Sequence, residues 1–95
     1  MARRRYLLAY DIADPARLRR VCNLMEDHGE RLQYSVFLCD LSKAERAELE
    51  ASVTEVMHLA EDSVVEIDLG EARNPATVRT WGRSRRLPDS GPQIV

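Results

Sequence analysis

The sequence has only two cysteines, Cys22 and Cys39, and they form neither a metal-ligand spacing nor a disulfide framework. This scarcity predicts a reduced, cytoplasmic protein. Long apolar runs are absent as well. The arginine-rich start followed by an apolar stretch imitates a signal peptide, but Asp11 ends that stretch far short of the required length. The sequence therefore predicts neither a membrane-spanning segment nor a membrane partner.

Groups that could form a self-sufficient catalytic site are also scarce. Neither His28 nor His58 has an acid or a cysteine at catalytic spacing, and we interpret His28 as a cation at a helix end. No lysine is placed as a nucleophile. Any enzymatic function must therefore use few side chains, which directs attention to single carboxylates.

Charge is segregated along the chain although its net value is only −2. Residues 1–40 have a net charge of +1, residues 41–72 of −7 and residues 73–95 of +4. All but one of the cations are arginines, whose planar guanidinium suits phosphate, although a GC-rich genome would enrich arginine as well. The two arginine-bearing ends are thus compatible with nucleic-acid binding.

The stretch Tyr6–Ile12, with the sequence YLLAYDI, predicts a strand because all but one of its residues are apolar or aromatic. A short apolar run of this kind is typical of a strand covered on both faces. Its one carboxylate, Asp11, is costly at the end of a buried strand unless water, a donor or a cation meets it. Asp11 is therefore the first candidate functional residue; the alternative is a polar strand-end residue that hydrogen-bonds to a loop.

Capping residues predict two helices. The first begins with Asp14 as the N-cap and Pro15 in the first turn, and it ends near His28. The second begins with a capping box, in which Ser42 is the N-cap and Glu45 stands three residues later. We predict that this second helix turns its acids to solvent and buries Leu49, Val53, Val56, Met57 and Ala60.

Extended segments complete the pattern. Arg31–Leu41 is either one bent strand or two short ones, with an alternating apolar set of Leu32, Tyr34, Val36 and Leu38. Ser63–Leu69 predicts a strand closed by Gly70, and Thr77–Trp81 predicts a last strand.

This order of elements predicts an α+β fold, a ferredoxin-like sandwich with two helices on one face of an antiparallel sheet. We assign residues 1–86 to this domain and residues 87–95 to a C-terminal tail, whose segment 93–95 is predicted to add to a sheet as an edge strand. Because a chain of this size gains from further burial, we expect a twofold homodimer.

Two motifs resemble those of a known family. Tyr10-Asp11-Ile12 is followed by an arginine-rich helix, and Gly29 precedes the run LQYSVF at residues 32–37. Over about residues 6–41 these features resemble the CRISPR-associated endoribonuclease family, the small partner of the CRISPR spacer-acquisition integrase. Short toxin ribonucleases of the VapD type share the fold and a weaker form of the pattern.

The resemblance implies a homodimeric ferredoxin-like subunit in which Asp11 faces its symmetry mate and shares a Mg²⁺ or Mn²⁺ ion with it. It also implies nuclease activity on RNA or duplex DNA and binding to the CRISPR integrase subunit. The positions it implicates in nucleic-acid handling are Tyr10, Arg17, Arg19, Arg31 and Phe37. To these we add Arg20 of the same helix as a further phosphate contact.

Three functions are open at this point. The first is a CRISPR adaptation protein that binds nucleic acid and has a metal-dependent endonuclease site at Asp11. The second is a non-catalytic adaptor that bridges DNA within the integrase complex. The third is a VapD-like toxin ribonuclease that acts alone on cellular RNA.

Overall fold

A computed structural model describes residues 2–83 of the chain. Its elements are β1 (Arg4–Asp11), α1 (Pro15–His28), β2 (Glu30–Gln33), β3 (Val36–Leu41), α2 (Lys43–Val56) and β4 (Ser63–Glu71). The strands form one antiparallel sheet in the order β2-β3-β1-β4. This topology, with both helices packed against the core, confirms the predicted ferredoxin-like fold. Within the described range, neither helix has the length and apolar character needed to cross a membrane.

Both predicted helix starts are confirmed by their hydrogen bonds. The Asp14 side chain accepts a hydrogen bond from the backbone N–H of Arg17, at 2.9 Å. At the second start, the side chain of Ser42 accepts from the backbone of Glu45, and the Glu45 carboxylate accepts from the backbone of Ser42. Each bond satisfies an N–H that the first helical turn leaves without a partner.

The first helix ends at His28, as predicted, but Gly29 is required there for a different reason than an ordinary helix cap. Its φ of −165° is extended backbone that any residue adopts. A Cβ at this position, however, would lie 2.4 Å from the Sγ of Cys39 and 2.4 Å from the carbonyl oxygen of Leu38. Gly29 therefore permits the close approach of the α1–β2 connection to β3.

The core lies between the helices and one face of the sheet. The fully buried side chains at its centre are Phe37, Met25, Val21 and Cys39. Alternate residues of β1 and β3, together with Leu49 and Val53 of α2, surround them. Because both helices contribute to this one cluster, the opposite face of the sheet is left without a helix.

The segment predicted as one bent strand or two is two strands joined by a turn at Tyr34 and Ser35. The turn changes which residues face the core, so the predicted apolar alternation is wrong. Phe37 is fully buried, whereas Tyr34 is 67% exposed. Phe37, Cys39 and Leu41 form the inner face of β3 instead.

Two predictions near the C-terminal end of the sheet are also wrong. α2 ends at Val56, which leaves Ala60 exposed in a turn instead of buried on the helix. Thr77–Trp81 is irregular chain instead of a strand, and its apolar side chains Val78 and Trp81 are 42% and 90% exposed. Among residues 2–83 no neighbouring strand pairs with this segment, so none of them provides a hydrogen-bond ladder to hold it extended.

The strand predicted to end at Leu69 continues to Glu71 through Gly70. The β1–β4 register shifts between Arg4 and Tyr6 of β1, and Gly70 on the opposite strand has a φ of +98°. Glycine adopts this left-handed conformation without a Cβ clash, so it suits a bulge of this kind. The predicted tail, residues 87–95, and its edge strand at 93–95 lie outside the described residues.

Candidate nucleic-acid and metal site

The face of the sheet opposite the helices has an apolar central region. Side chains alternate between the two faces of a strand, and Tyr6, Leu8 and Tyr10 are buried on the helix side. The intervening residues and their register partners on β3 and β4 therefore lie on the opposite face. We call this set the outer-face patch; its members are Leu7, Ala9, Val36, Leu38, Val65 and Ile67.

Within one chain the outer-face patch is only partly covered. Val65 and Ile67 are 55% and 48% exposed, and Leu7 and Ala9 are half-buried. The prediction that β1 is covered on both faces is therefore not met by a single chain. Apolar side chains clustered on one sheet face are typical of a surface that packs against another molecule.

Asp11 is the last residue of β1 and lies on the same face as the outer-face patch. It stands opposite Ser63, the first residue of β4, and it is exposed. Among residues 2–83, no hydrogen bond or ion pair engages its carboxylate. Both carboxylate oxygens are therefore available to a ligand at the end of the patch.

A single chain does not complete a metal site around Asp11. The described residues contain no group of three or more histidine, cysteine, aspartate or glutamate side chains that could hold an ion. Magnesium, however, commonly binds through one or two protein carboxylates, with water and substrate phosphate as the other ligands. One free Asp11 carboxylate from each of two chains fits that requirement, and one alone fits it poorly.

Arg17, a predicted phosphate contact, is held by acids from the α2–β4 connection. Its Nε donates to the Oδ2 of Asp62 at 2.8 Å, and its Nη2 donates to the Oδ1 of Asp62 at 3.2 Å. The same Nη2 also donates to Glu61 at 3.1 Å. The hydrogen bond to Asp62 raises the pKa of Arg17 above its already high ordinary value, so the guanidinium stays charged.

Asp62 is a residue that sequence reasoning missed. Its side chain is 0% exposed, and besides Arg17 it accepts hydrogen bonds from the backbone N–H of Ala13 at 2.9 Å and of His58 at 2.8 Å. The Arg17 hydrogen bond, helped by these two N–H groups, holds the pKa of Asp62 well below its usual range. The buried carboxylate is therefore ionised and fully hydrogen-bonded.

The only sequence signal for Asp62 is its place immediately before an apolar strand. Asp11 was identified as a candidate because it ends an apolar strand, whereas Asp62 precedes one. The antiparallel pairing of β1 with β4 brings the end of the first strand beside the start of the second. Without that pairing, Asp62 is one of nine acids in residues 41–72 and nothing distinguishes it.

Arg19 and Arg20 differ from Arg17 in being exposed on α1. No hydrogen bond or ion pair engages their guanidinium groups within the described part of the chain. Both are therefore free to contact phosphate, and their predicted role in binding nucleic acid stays a prediction.

Arg31 is packed into the fold more than the prediction of a phosphate contact requires. Its guanidinium carbon lies 5.4 Å from the ring centroid of Phe37, a cation–π arrangement. Its Nη2 also contacts the thiol of Cys22 and lies 3.6 Å from the carboxylate of Glu26. The Nε is buried without a partner among the residues described. Arg31 therefore covers the core, and only part of its side chain faces solvent.

Tyr10 and Phe37, predicted as auxiliary residues, are core residues that stack on each other. Their ring centroids are 6.2 Å apart and their planes differ by 21°. The Tyr10 hydroxyl donates to the carbonyl oxygen of Tyr34 at 3.2 Å. Burial raises the pKa of Tyr10 well above its usual value near 10, so it is un-ionised at neutral pH. Any effect of these two residues on nucleic acid would act through the β2–β3 turn that they support.

Comparison with known proteins gives a consistent family match. Residues 4–75 match the family model described as CRISPR associated protein Cas2. A relative named CRISPR-associated endoribonuclease Cas2 3, from Synechocystis, is 42% identical over 90 residues, which cover 95% of this chain and 97% of the relative. A second, CRISPR-associated endoribonuclease Cas2 2 from Thermodesulfovibrio yellowstonii, is 38% identical over 88% of this chain and 89% of its own length.

Solved structures agree with the sequence comparisons. The crystal structure of Streptococcus pyogenes Cas2 at pH 6.5 aligns with a TM-score of 0.66 and 33% identity, covering 79% of this chain and 99% of that one. The crystal structure of a hypothetical protein from Thermus thermophilus aligns with a TM-score of 0.73 and 30% identity, covering 86% of this chain and 94% of that one. The family resemblance noted in the sequence is therefore confirmed.

Proposed function

Because the chain belongs to the family of CRISPR-associated Cas2 proteins, we propose that it acts in CRISPR spacer acquisition as a nucleic-acid-binding twofold dimer with a metal-dependent phosphodiesterase site at Asp11. The observation that carries this proposal is the place of Asp11 at the end of the outer-face patch, where it is exposed and bound by no other residue of the described range. The names of the relatives, which call them endoribonucleases, support phosphodiester cleavage as the activity. The same match favours this function over that of a VapD-type toxin.

The dimer follows from the outer-face patch. Packing two such patches against each other about a twofold axis removes the apolar side chains of both chains from water. The same operation brings a second Asp11 to the interface, because the residue lies on the face that becomes covered. Two carboxylates then come from a single acid in each sequence.

A Mg²⁺ or Mn²⁺ ion is the cofactor that this pair of carboxylates would hold. The ion would polarise a phosphodiester and lower the pKa of bound water, which the sparse side chains of the site do not do themselves. The role of Asp11 is to provide negatively charged oxygen ligands at the interface. No other acid or base of the described residues is needed for that role.

The exposed arginines of α1 would bind the nucleic-acid backbone. Arg19 and Arg20 offer guanidinium groups that no other residue of the range 2–83 binds, and Arg17 offers the part of its guanidinium that Asp62 and Glu61 leave free. Arg31, at the edge of the core, would provide a further contact to the nucleic-acid backbone. Contacts of this type position duplex DNA or single-stranded RNA without reading its sequence. The integrase subunit of the CRISPR system is the expected protein partner.

A second candidate function is a DNA-bridging adaptor that performs no chemistry. The observation in its favour is that no acid or base among residues 2–83 is hydrogen-bonded or ion-paired to Asp11. The adaptor uses the same dimer and the same arginines. The two functions differ only in whether the Asp11 pair holds a metal and cleaves.

Metal-titrated cleavage of labelled RNA and duplex DNA by Asp11→Asn separates these functions. The proposed site predicts cleavage that needs Mg²⁺ or Mn²⁺, stops with chelator and falls by at least about 100-fold in the variant. Asp27→Asn is the matched control, since Asp27 is another exposed aspartate, near the end of α1. This variant should cleave like the wild type. Light scattering and nucleic-acid binding should be unchanged in Asp11→Asn, because the patch and the arginines are intact.

Undiminished cleavage by purified Asp11→Asn would end the catalytic assignment. A wild type that binds nucleic acid but shows no metal-dependent cleavage would support the adaptor. Loss of the dimer in Asp11→Asn would instead make Asp11 a structural residue of the interface.

A further inference from the structure

The buried carboxylate of Asp62 connects the two best functional candidates of the chain. It accepts a hydrogen bond from the backbone of Ala13, two residues beyond Asp11, at 2.9 Å. It also binds the guanidinium of Arg17 through two N–H groups. The turn after Asp11 and the side chain of Arg17 are thus fixed to the same group, which comes from a different part of the sequence.

We propose that Asp62 is a positioning residue that orients Arg17 toward nucleic-acid phosphate and fixes the turn that follows Asp11. The inference rests on the proposed function, since it assigns Arg17 a phosphate contact. It differs from a purely structural role in one respect: Asp62 determines which N–H groups of Arg17 remain available.

The geometry of the Arg17 side chain supports this role. A guanidinium has five N–H donors in a rigid plane, and Asp62 takes the edge formed by Nε and Nη2. Within the part of the chain that the structure describes, no acceptor binds Nη1. The side chain is 23% exposed, whereas the side chain of Asp62 is 0% exposed. The carboxylate therefore lies beneath the guanidinium, and the Nη1 end remains free to contact a ligand.

Holding Arg17 in advance makes its contact with phosphate more favourable. A free arginine side chain loses rotational freedom when it is fixed on a ligand, and this loss weakens binding. An arginine that is already fixed by a buried carboxylate loses less. The same carboxylate has an opposing effect, because its negative charge repels phosphate.

These two effects have opposite signs, which makes the proposal testable. If Asp62 only stabilises the fold, Asp62→Asn in folded protein should bind nucleic acid as well as the wild type or more tightly, since a negative charge is gone. If Asp62 positions Arg17, the same variant should bind more weakly despite that charge change. Fluorescence anisotropy measures whether the affinity rises or falls. It uses a labelled DNA duplex and a labelled single-stranded RNA, without divalent metal and at fixed salt.

We expect Asp62→Asn to weaken binding by about fivefold to tenfold, the effect of one hydrogen bond of ordinary net strength. Glu61→Gln is the matched control. It removes the same charge from the neighbouring residue, which is exposed and touches Arg17 through one hydrogen bond. This control should bind like the wild type or slightly more tightly.

A double substitution tests whether the effect passes through Arg17. In an Arg17→Ala background, Asp62→Asn should cause no further weakening, because the group that it positions is absent. Weakening of equal size in both backgrounds would overturn the proposal, as would unchanged or tighter binding by Asp62→Asn alone.

Circular dichroism shows whether each variant is folded at the temperature of the assay. If Asp62→Asn is not, Arg17→Lys decides, since lysine keeps the charge but lacks the rigid planar group whose Nε and Nη2 edge pairs with Asp62 while Nη1 points elsewhere. Binding equal to the wild type in Arg17→Lys would overturn the proposal. If the wild type binds neither DNA nor RNA, the proposed function and this inference are both overturned. If the wild type binds and Asp62→Asn binds equally well, only the inference is overturned.

Discussion

Asp11 lies directly opposite Ser63 across β1 and β4, at the point where the outer-face patch ends. The pairing puts the only carboxylate that β1 contributes to the uncovered face next to the apolar side chains that would be buried in a dimer. In the proposed dimer, the interface and the candidate metal site would therefore lie on one surface, and each can be tested by its own substitution.

Ile67→Lys should convert the dimer to a monomer. Ile67 is 48% exposed in the single chain and pairs with Leu7 within the outer-face patch. A lysine there would place two ammonium groups in a buried twofold interface, which is costly without partners. Multi-angle light scattering at micromolar concentration should report the change in mass.

Leu59→Lys provides the control for that experiment. Leu59 is 73% exposed in the turn after α2 and is not a member of the outer-face patch, so its replacement should leave the dimer intact. A dimer that survives Ile67→Lys would show that another surface forms the interface, and the paired Asp11 site would lose its basis.

Arg20→Ala should reduce the salt dependence of nucleic-acid binding. Each phosphate contact releases a counterion, so its loss lowers the slope of log K against log salt by roughly one unit per chain. Affinity should fall to a similar extent for unrelated sequences, because backbone contacts carry no sequence information. Anisotropy titrations over a range of salt concentrations measure both quantities.

Lys43→Ala is the comparison for Arg20→Ala, since Lys43 is an exposed cation at the start of α2 instead of α1. It should leave the slope nearly unchanged. An equal effect of the two substitutions would show that net charge, and not the α1 surface, determines binding.

Local chemistry made much of the fold predictable. The helix starts at Asp14 and Ser42 depend on hydrogen bonds within a few residues, so the sequence contains all the information that is needed. The strands at Tyr6–Ile12 and Ser63–Leu69 are marked by apolar runs that no helix period explains. The order of these elements is enough to indicate a ferredoxin-like topology.

Predictions failed where the outcome depended on contacts between distant segments. The two-residue turn at Tyr34 and Ser35 changes the face that Phe37 occupies, and the sequence pattern alone does not show it. Asp62 was missed because its partners, Ala13 and Arg17, come from 45 or more residues earlier in the chain. The Asp11 carboxylate was predictable as a candidate, whereas the group that fixes its turn was not.

Gly29→Ala should destabilise the fold through steric overlap. The added methyl group would lie 2.4 Å from the backbone carbonyl oxygen of Leu38 and 2.4 Å from the Sγ of Cys39, so β3 or the end of α1 must move. Overpacking of this kind costs about 1–3 kcal/mol of the free energy of unfolding. Urea denaturation followed by circular dichroism should show the loss as a lower midpoint with a similar slope.

The comparison for Gly29→Ala is Gly82→Ala. A Cβ at Gly82 meets no atom of the described residues within 4 Å, but the residue has a φ of +83°. Gly82→Ala should therefore lower the free energy of unfolding only through backbone strain, by at most about 1–2 kcal/mol. Equal stability of wild type and Gly29→Ala would mean that the α1–β2 connection adjusts freely.

Acid should destabilise the protein, and Asp62 should account for part of the loss. Several carboxylates have a pKa lowered by hydrogen bonds in the folded state; they are Asp62, Asp40, Asp68 and Glu45. A carboxylate whose pKa is lower in the folded than in the unfolded state stabilises the fold above its unfolded pKa, near 4 for aspartate. That stabilisation is lost as the pH falls from about 4 through the folded-state value.

The asparagine substitution at Asp62 tests this assignment, because asparagine does not titrate. Asp62→Asn should be less stable than the wild type at neutral pH, since the guanidinium of Arg17 and the backbone N–H groups of Ala13 and His58 lose their charged, buried acceptor. Its free energy of unfolding should then fall less steeply than that of the wild type below about pH 4. Asp27→Asn, at an exposed aspartate of α1, is the control for replacing an aspartate without removing the partner of Arg17. Urea denaturation at a series of pH values measures the three curves. Parallel curves of unfolding free energy against pH for Asp62→Asn and the wild type would contradict this assignment. They would show that the Asp62 carboxylate has the same proton affinity in the folded and unfolded chains. Its hydrogen bonds to Arg17, Ala13 and His58 would then contribute nothing to acid sensitivity.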